Sequence, residues 1–333
     1  MQTILIISDN LPDQINGVVT TYKNIEKCAK LDGYIVKYIN PSNFIHFDAF
    51  GYPEVKLSIP LGIGKLIKEI NPDYIHISTE GPIGIVVRNW CCFHGYRYNT
   101  SYHTKYPEFI NRIYGIPMWI TYKYVKWFHA RSNLVLTTTN SMVRELKENG
   151  FTQPVISWTR GVDRDVFDLN NNRLSSDKIK LLSVGRVSKE KGIEDLCKLS
   201  TNHRYEIIVV GDGPHKQELQ DKYPLVKFVG YKHGVELAEY YNQADVFVFT
   251  SRTDTFGIVI IEALAMGCPV AAYPVCGPID IIGNGIDGFM EDNLENAISG
   301  CLDLDRDIIK LNSEKWTWQN CWNIFKSNLV NIK

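Results

Sequence analysis

The stretch Asp245–Gly267, DVFVFTSRTDTFGIVIIEALAMG, decides the fold. Asp245–Thr250 is short, apolar, aromatic and β-branched, as a buried parallel strand is, and Ile258–Met266 carries helix-forming residues on several faces. Strand, loop and helix in that order form the repeating unit of an α/β sheet. Gly257 sits at the junction, with Phe256 before it. A glycine there lets backbone N–H groups at the helix start approach an anion, which the helix dipole favours. With a phosphate at that point, Glu262 lies about one and a half turns into the helix, within reach of ribose hydroxyls. Asp254 is then placed for the hydroxyls of whatever the phosphate carries. A carboxylate in such a loop also serves as a plain helix cap, so the segment alone fits a sugar-nucleotide site and an ordinary junction equally.

Outward from this stretch the same rhythm continues. Apolar runs at Ile4–Ser8, Tyr34–Ile39, Tyr74–Ser78, Asn99–Tyr102 and Leu134–Thr138 alternate with helical stretches, and so do Lys180–Val184, Glu206–Val210, Lys227–Val229 and Val270–Ala272. The two series are separated by Asp168–Lys178, DLNNNRLSSDK, a polar segment that reads as a linker. The pattern predicts two Rossmann-like domains, 1–168 and 169–315, whose parallel sheets face an interdomain cleft. Ligands of such sheets sit at the carboxyl ends of the strands. A last helix is expected within 316–333, with Trp316, Trp318, Trp322 and Phe325 as its bulky residues.

The chain has 333 residues, 44% hydrophobic and 22% charged, with a formal net charge of −1. That size accommodates two cores, and the charge argues against nucleic acid as a partner. Residues 1–167 hold 18 Lys/Arg against 14 Asp/Glu, so the first half is mildly basic. Eight cysteines without CxxC spacing predict neither zinc nor a disulfide framework. Together with the direct entry into a strand at Thr3, they suggest a cytoplasmic protein that meets a membrane only at its surface.

Several loops after strands carry candidate chemistry. Gly185–Gly192, GRVSKEKG, places Arg186 and Lys191 in a glycine-bounded loop. It suits a diphosphate, because arginine offers a planar fork and lysine a movable point charge, but it also suits a solvated loop opening a surface helix. Val209–Pro214, VVGDGP, begins like a dinucleotide fingerprint and then fails, since Lys216 stands where the third glycine belongs. Gly17 lies in an expected loop before a helix at Thr20–Lys30, where it permits close backbone approach or simply makes a turn. His103 ends a strand and can hydrogen-bond a transferring sugar or orient an acceptor.

Asp163-Arg164-Asp165 and Asp303-Leu304-Asp305 mimic a metal-binding DxD. The first reads better as a turn and the second as part of an acidic helix, so no metal and no cofactor are expected. Met118–Arg131, MWITYKYVKWFHAR, interleaves aromatic and basic residues. It fits a helix packed on a sheet with solvated lysines, or one lying at an anionic membrane surface.

In this order and spacing, the motifs resemble the family-4 retaining glycosyltransferases of GT-B fold. The resemblance maps the family's acid pair onto Asp254 and Glu262, its diphosphate cations onto Arg186 and Lys191, its N-terminal glycine loop onto Gly17 and its sugar-contacting histidine onto His103. The region around Tyr231 is similar to the part that frames the nucleobase. TEGPIG at Thr79–Gly84, TSYHT at Thr100–Thr104 and RGVD at Arg160–Asp163 resemble the branch of GDP-mannose-dependent α-mannosyltransferases and sulfoquinovosyl or glucosyl lipid synthases. This implies a terminal helix, with Trp316 and Trp322, that crosses back onto the N-terminal, acceptor-binding domain. It also implies transfer of a hexosyl group from a nucleotide sugar, GDP-mannose foremost, to a lipid or glycan hydroxyl, with peripheral membrane contact. A UDP-sugar lipid transferase and a catalytically silent sugar-nucleotide binder are the alternatives. The first acid departs from the family pattern: Asp254 stands where the pattern has Glu.

Overall fold

The computed structural model describes residues 1–14, 16–49, 52–168 and 173–333. They form two compact units, one of Met1–Arg160 with Trp318–Lys333 and the other of Gly161–Thr317. Each is an α/β layer structure around one six-stranded, wholly parallel sheet.

In the N-terminal unit the parallel strands are β1 (Thr3–Ile7), β2 (Ile35–Ile39), β5 (Tyr74–Ile77), β6 (Asn99–Tyr102), β7 (Val135–Thr137) and β8 (Val155–Ser157). Their order is β2-β1-β5-β6-β7-β8. Period-two alternation sends Leu5 and Ile7 into one core with Ile75, Ile77 and Phe128. Ile4 and Ile6 enter the other, with Tyr22, Ile25 and Leu136. Helices therefore cover both faces, as parallel sheets require. An antiparallel hairpin of β3 (Ile45–Ala49) and β4 (Tyr52–Ile59) interrupts the rhythm, and Asp48 pairs with Lys56 across it. Sequence pattern did not disclose it, because β3 is largely exposed and has no buried face to mark it.

The C-terminal unit contains β9 (Ile179–Val184), β10 (Tyr205–Val210), β11 (Lys227–Phe228), β12 (Val246–Phe249), β13 (Val270–Ala272) and β14 (Gly288–Met290). Their order, β11-β10-β9-β12-β13-β14, runs outward from β9 in one direction and from β12 in the other. Strands β9 and β12 are thus neighbours at which the winding reverses.

The units divide at Arg160 and Thr317, not at 168 and 315. Val162 and Phe167 explain the first shift, because both are buried in the C-terminal core, where the Phe167 ring meets Tyr241 edge-on at 6.1 Å. The polar segment therefore lies within the C-terminal unit. Leu169–Asn172 fall outside the described residues, while Arg173 pairs with Asp245 and Leu174 N–H donates to Gln243. Trp316 also stays with the C-terminal unit, its ring 5.7 Å from Phe256.

Helix Trp318–Ser327 belongs to the N-terminal unit. Trp322 is fully buried, edge-on to Tyr34 at 5.4 Å, and its indole N–H donates to Asp32 Oδ2 at 2.7 Å. Trp158 returns the contact, donating from its own indole to the Cys321 carbonyl at 2.9 Å. Trp322→Ala should cost about 3–5 kcal/mol, as truncation of a buried aromatic does. A lowered thermal transition of the full chain, followed by circular dichroism, checks this; an unchanged midpoint would show that the helix is not part of the core.

Candidate active site

Backbone conformation comes first in the C-terminal unit. The loops after β9 and β10 lie so close that a Cβ on Gly211 would stand 1.9 Å from the Gly185 carbonyl oxygen, and one on Gly213 would stand 2.4 Å from that of Val187. Val187 N–H donates to the Asp212 carbonyl at 2.9 Å, and His215 N–H to the Val187 carbonyl at 3.0 Å. The glycines of the failed fingerprint thus serve loop packing. They hold the segment carrying Arg186, whose side chain is half-buried, and Lys191.

The loop after β12 reaches the same place from the neighbouring strand. Lys191 Nζ lies 2.6 Å and 2.8 Å from the two carboxylate oxygens of Asp254. Both side chains are partly exposed, at 30% and 25%. Thr250 Oγ1 donates to the Lys191 carbonyl at 2.7 Å, which ties the lysine's backbone to the end of β12. Gly192 is left-handed at φ +65°, and a Cβ there would meet the Thr250 carbonyl at 2.9 Å. Two of the predicted residues, sixty-three positions apart, are therefore in direct contact at the point where the sheet reverses.

Gly257 adopts φ +92°, which strongly favours glycine, and turns the loop into helix Ile258–Ala265. No side chain caps this helix, so its first N–H groups keep their affinity for an anion. Phe256 is buried and packs edge-on to Trp316, so its ring anchors the loop while its backbone borders the junction. Glu262 accepts a hydrogen bond from Tyr241 Oη at 3.0 Å. A little of its surface is accessible, yet protein surrounds it closely enough that desolvation pushes its carboxyl up to about 7, against the opposing effect of the Tyr241 bond. Tyr231 follows the edge strand β11, half-exposed, its hydroxyl donating to the Asp212 carbonyl at 3.2 Å and its ring nearly parallel to His233.

In the N-terminal unit, His103 is the centre of a polar chain. Arg160 Nη2 donates to its Nδ1 at 2.9 Å, and its Nε2 lies 3.0 Å from Tyr22 Oη. A guanidinium only donates, so Nδ1 is the acceptor and the proton sits on Nε2. Desolvation, the Arg160 charge and His76 together hold the imidazole pKa well below its usual value. Tyr22 Oη is also 2.8 Å from His76 Nε2 and 3.1 Å from Ser101 Oγ. His76, inside strand β5, is thus joined to His103 through one hydroxyl.

Gly17 opens helix Gly17–Leu31 instead of preceding it. It is exposed, and Asn16 caps the helix by accepting from Val19 N–H at 2.9 Å. The two DxD look-alikes have local work: Asp165 N–H donates to Asp163 Oδ1, and Asp305 caps helix Arg306–Asn312. Tyr22, Arg160 and Tyr241 were not singled out as site residues. The readable signal was a tyrosine on the buried face of a helix beside a strand's carboxyl end.

The fold and these loops define a two-sheet transferase of the nucleotide-sugar kind, and comparison with known proteins agrees. The glycosyl transferases group 1 family matches residues 167–299, and glycosyltransferase family 4 matches residues 30–166. A GDP-mannose-dependent alpha-mannosyltransferase of Mycobacterium tuberculosis is 30% identical over 84% of this chain and 81% of its own. Its namesake in Corynebacterium glutamicum is 27% identical over 87% and 76%. The sulfoquinovosyl transferase SQD2 of Arabidopsis thaliana is 30% identical over 71% of this chain and 50% of its own. Sucrose-phosphate synthase of Thermosynechococcus elongatus superposes with a TM-score of 0.78 at 18% identity, covering 98% of each chain, which is a likeness of GT-B fold. The chain belongs to the group 1, family 4 glycosyltransferases and is a hexosyltransferase.

Glu262 yields a pH signature. An acid raised from 4.5 to about 7 on folding is tolerated best when protonated, so its cost to stability is absent below about 4.5 and grows as pH rises through about 7. Glu262→Gln should therefore melt like the parent near pH 4.5 and progressively higher than it toward pH 8. A difference that stays flat between those values would show the carboxyl to be ionised throughout.

Proposed function

We propose that the chain is a retaining, metal-independent mannosyltransferase, taking mannose from GDP-mannose to a hydroxyl of a lipid or glycan. The Lys191–Asp254 pair at the strand reversal carries the reading. Before donor binds, each charge satisfies the other. A diphosphate arriving beside Gly257 competes for the Lys191 ammonium, and the carboxylate it releases turns to the hydroxyls of the donor sugar. One exchange of partners thereby positions both ends of the bond to be broken.

As the anomeric carbon–oxygen bond breaks, negative charge grows on the leaving diphosphate. Arg186, Lys191 and the uncapped N–H groups at the start of helix Ile258–Ala265 stabilise it, which is electrostatic catalysis of a largely dissociative step. Glu262, steadied by Tyr241, holds the ribose. Tyr231 lies two strand positions from β9, about 10 Å, a distance suited to the base end of a nucleoside diphosphate. The N-terminal unit takes the acceptor, which His103 orients by donating from Nε2 after exchanging its Tyr22 partner. The acceptor hydroxyl attacks from the leaving-group face and passes its proton to a phosphate oxygen, so no side-chain nucleophile is required.

Mannose and guanine rest on the two mannosyltransferase relatives. Likeness to the sulfoquinovosyl transferase favours, as a second reading, a UDP-linked glucosyl or sulfoquinovosyl donor on the same residues. Thermal shift should show stronger stabilisation by GDP than by UDP, and the reverse order selects the second reading. Product NMR should show the donor's anomeric configuration retained, with transfer unaffected by chelator. Lys191→Ala should slow transfer about 100-fold or more. An inverted linkage, or transfer indifferent to Lys191, would sink the mechanism.

A further inference from the structure

The N-terminal sheet reverses its winding between β1 and β5, as the second sheet does between β9 and β12. Two acids stand there, Asp9 after β1 and Glu80 after β5, and the proposed chemistry uses neither. Asp9 is fully engaged. Its Oδ1 accepts from Ile83 N–H at 2.8 Å, and its Oδ2 accepts from Thr79 Oγ1 at 2.8 Å and Gly84 N–H at 3.5 Å. Burial pushes its carboxyl up to about 6 against these bonds, which leaves it ionised at neutral pH. A carboxylate thus fills the start of helix Pro82–His94, where a sheet of this kind would take a phosphate. A Cβ on Gly81 would stand 2.4 Å from Asp9 Cγ, so only glycine there admits the acid without a shift.

Glu80 is engaged on one side only. Its side chain is 10% exposed, and Oε1 accepts from His129 Nε2 at 3.2 Å. The His129 ring is fully buried, with Nδ1 2.8 Å from Thr100 Oγ1, and this fixes the carboxylate. Among the described residues none donates to Glu80 Oε2, which reaches solvent. Tyr124 Oη donates to the Glu80 carbonyl, and the Tyr124 ring lies 5.8 Å from that of Tyr106. Both tyrosines are partly exposed and close enough to feel the charges of Glu80 and Asp9. An open carboxylate oxygen beside aromatic rings suits the hydroxyls and C–H faces of a sugar ring. A phosphate would meet two carboxylates and a helix start already filled.

We propose that Glu80 binds the acceptor, its Oε2 accepting from a hydroxyl of a neutral polyhydroxylated ring, with Tyr106 packing on that ring and His129 holding the carboxylate in place. Glu80 thereby selects against a phosphate at the receiving end of the acceptor. The inference rests on the N-terminal unit's role as the acceptor side and on nothing about the donor.

Titration of the full chain with methyl α-mannopyranoside and with mannose 6-phosphate, followed by saturation-transfer NMR, tests it. The neutral sugar should bind at least about tenfold more tightly than the phosphorylated one. Glu80→Gln keeps an oxygen for His129 but removes the charge; it should lose about tenfold in affinity for the neutral sugar and narrow the preference between the two. Tyr106→Ala should weaken the neutral sugar several-fold, a second measure that does not depend on the Glu80 variant's folding. Thermal transitions matching the parent's establish that the variants are folded, and an unchanged shift with nucleoside diphosphate that the donor side is intact. A Glu80 with a purely structural role would change the transition and leave the preference between the sugars as it was. No saturable binding of the neutral sugar, tighter binding of the phosphorylated one by the parent, or a preference indifferent to Glu80→Gln would overturn the proposal. Sugar binding needs no turnover, so absent transfer would count against the enzymatic reading alone.

Discussion

The ion pair between Lys191 and Asp254 is the constraint on which the C-terminal unit's chemistry rests. It exists because β9 and β12 are adjacent although two strand–helix units separate them in sequence, and adjacency follows from a sheet wound outward in both directions. Everything around the pair works to hold two loops at one point. Thr250 ties the lysine's carbonyl, Gly192 permits the close approach, and Gly277 leaves room beside the Asp254 and Phe256 carbonyls. An aspartate's shorter arm reaches the lysine with both oxygens, so the departure from the family's glutamate is compatible with a closed resting pair.

Electrostatics divide the two acids that the sequence presented together. Asp254 faces solvent in part and has a cation against it. Glu262 has only a tyrosine hydroxyl, and burial holds it near its point of titration at neutral pH. Seven intervening residues and a turn of chain direction put one acid beside charge and the other among apolar neighbours. Sequence spacing could not separate them in this way, because desolvation belongs to the packed helix and not to the motif.

Much of the architecture was legible because parallel strands buried on both faces read as apolar runs. Those missed were β3, β4, β8 and β14. Strand β8 has three residues, and β14 opens with Gly288, whose missing side chain lets it approach the Val270 carbonyl closely. Neither length nor composition signals such strands. The polar run after Asp168 was a poor boundary marker because Val162 and Phe167, just before it, are core residues of the second unit. The chain around His103 escaped prediction for a related reason: Arg160 and Tyr22 lie 57 and 81 positions from it, and His76 lies 54 from Tyr22, so only folding makes them neighbours.

The terminal helix gives the order of synthesis a physical meaning. The first 160 residues form most of a core whose closing tryptophan, Trp322, is made only after the whole second unit. As the chain leaves the ribosome, Gly161–Thr317 can complete its packing while Tyr34 and Trp158 still lack their partners. The earlier-made unit is therefore the later to mature, and its exposed aromatics are the part of the nascent chain most in need of shelter.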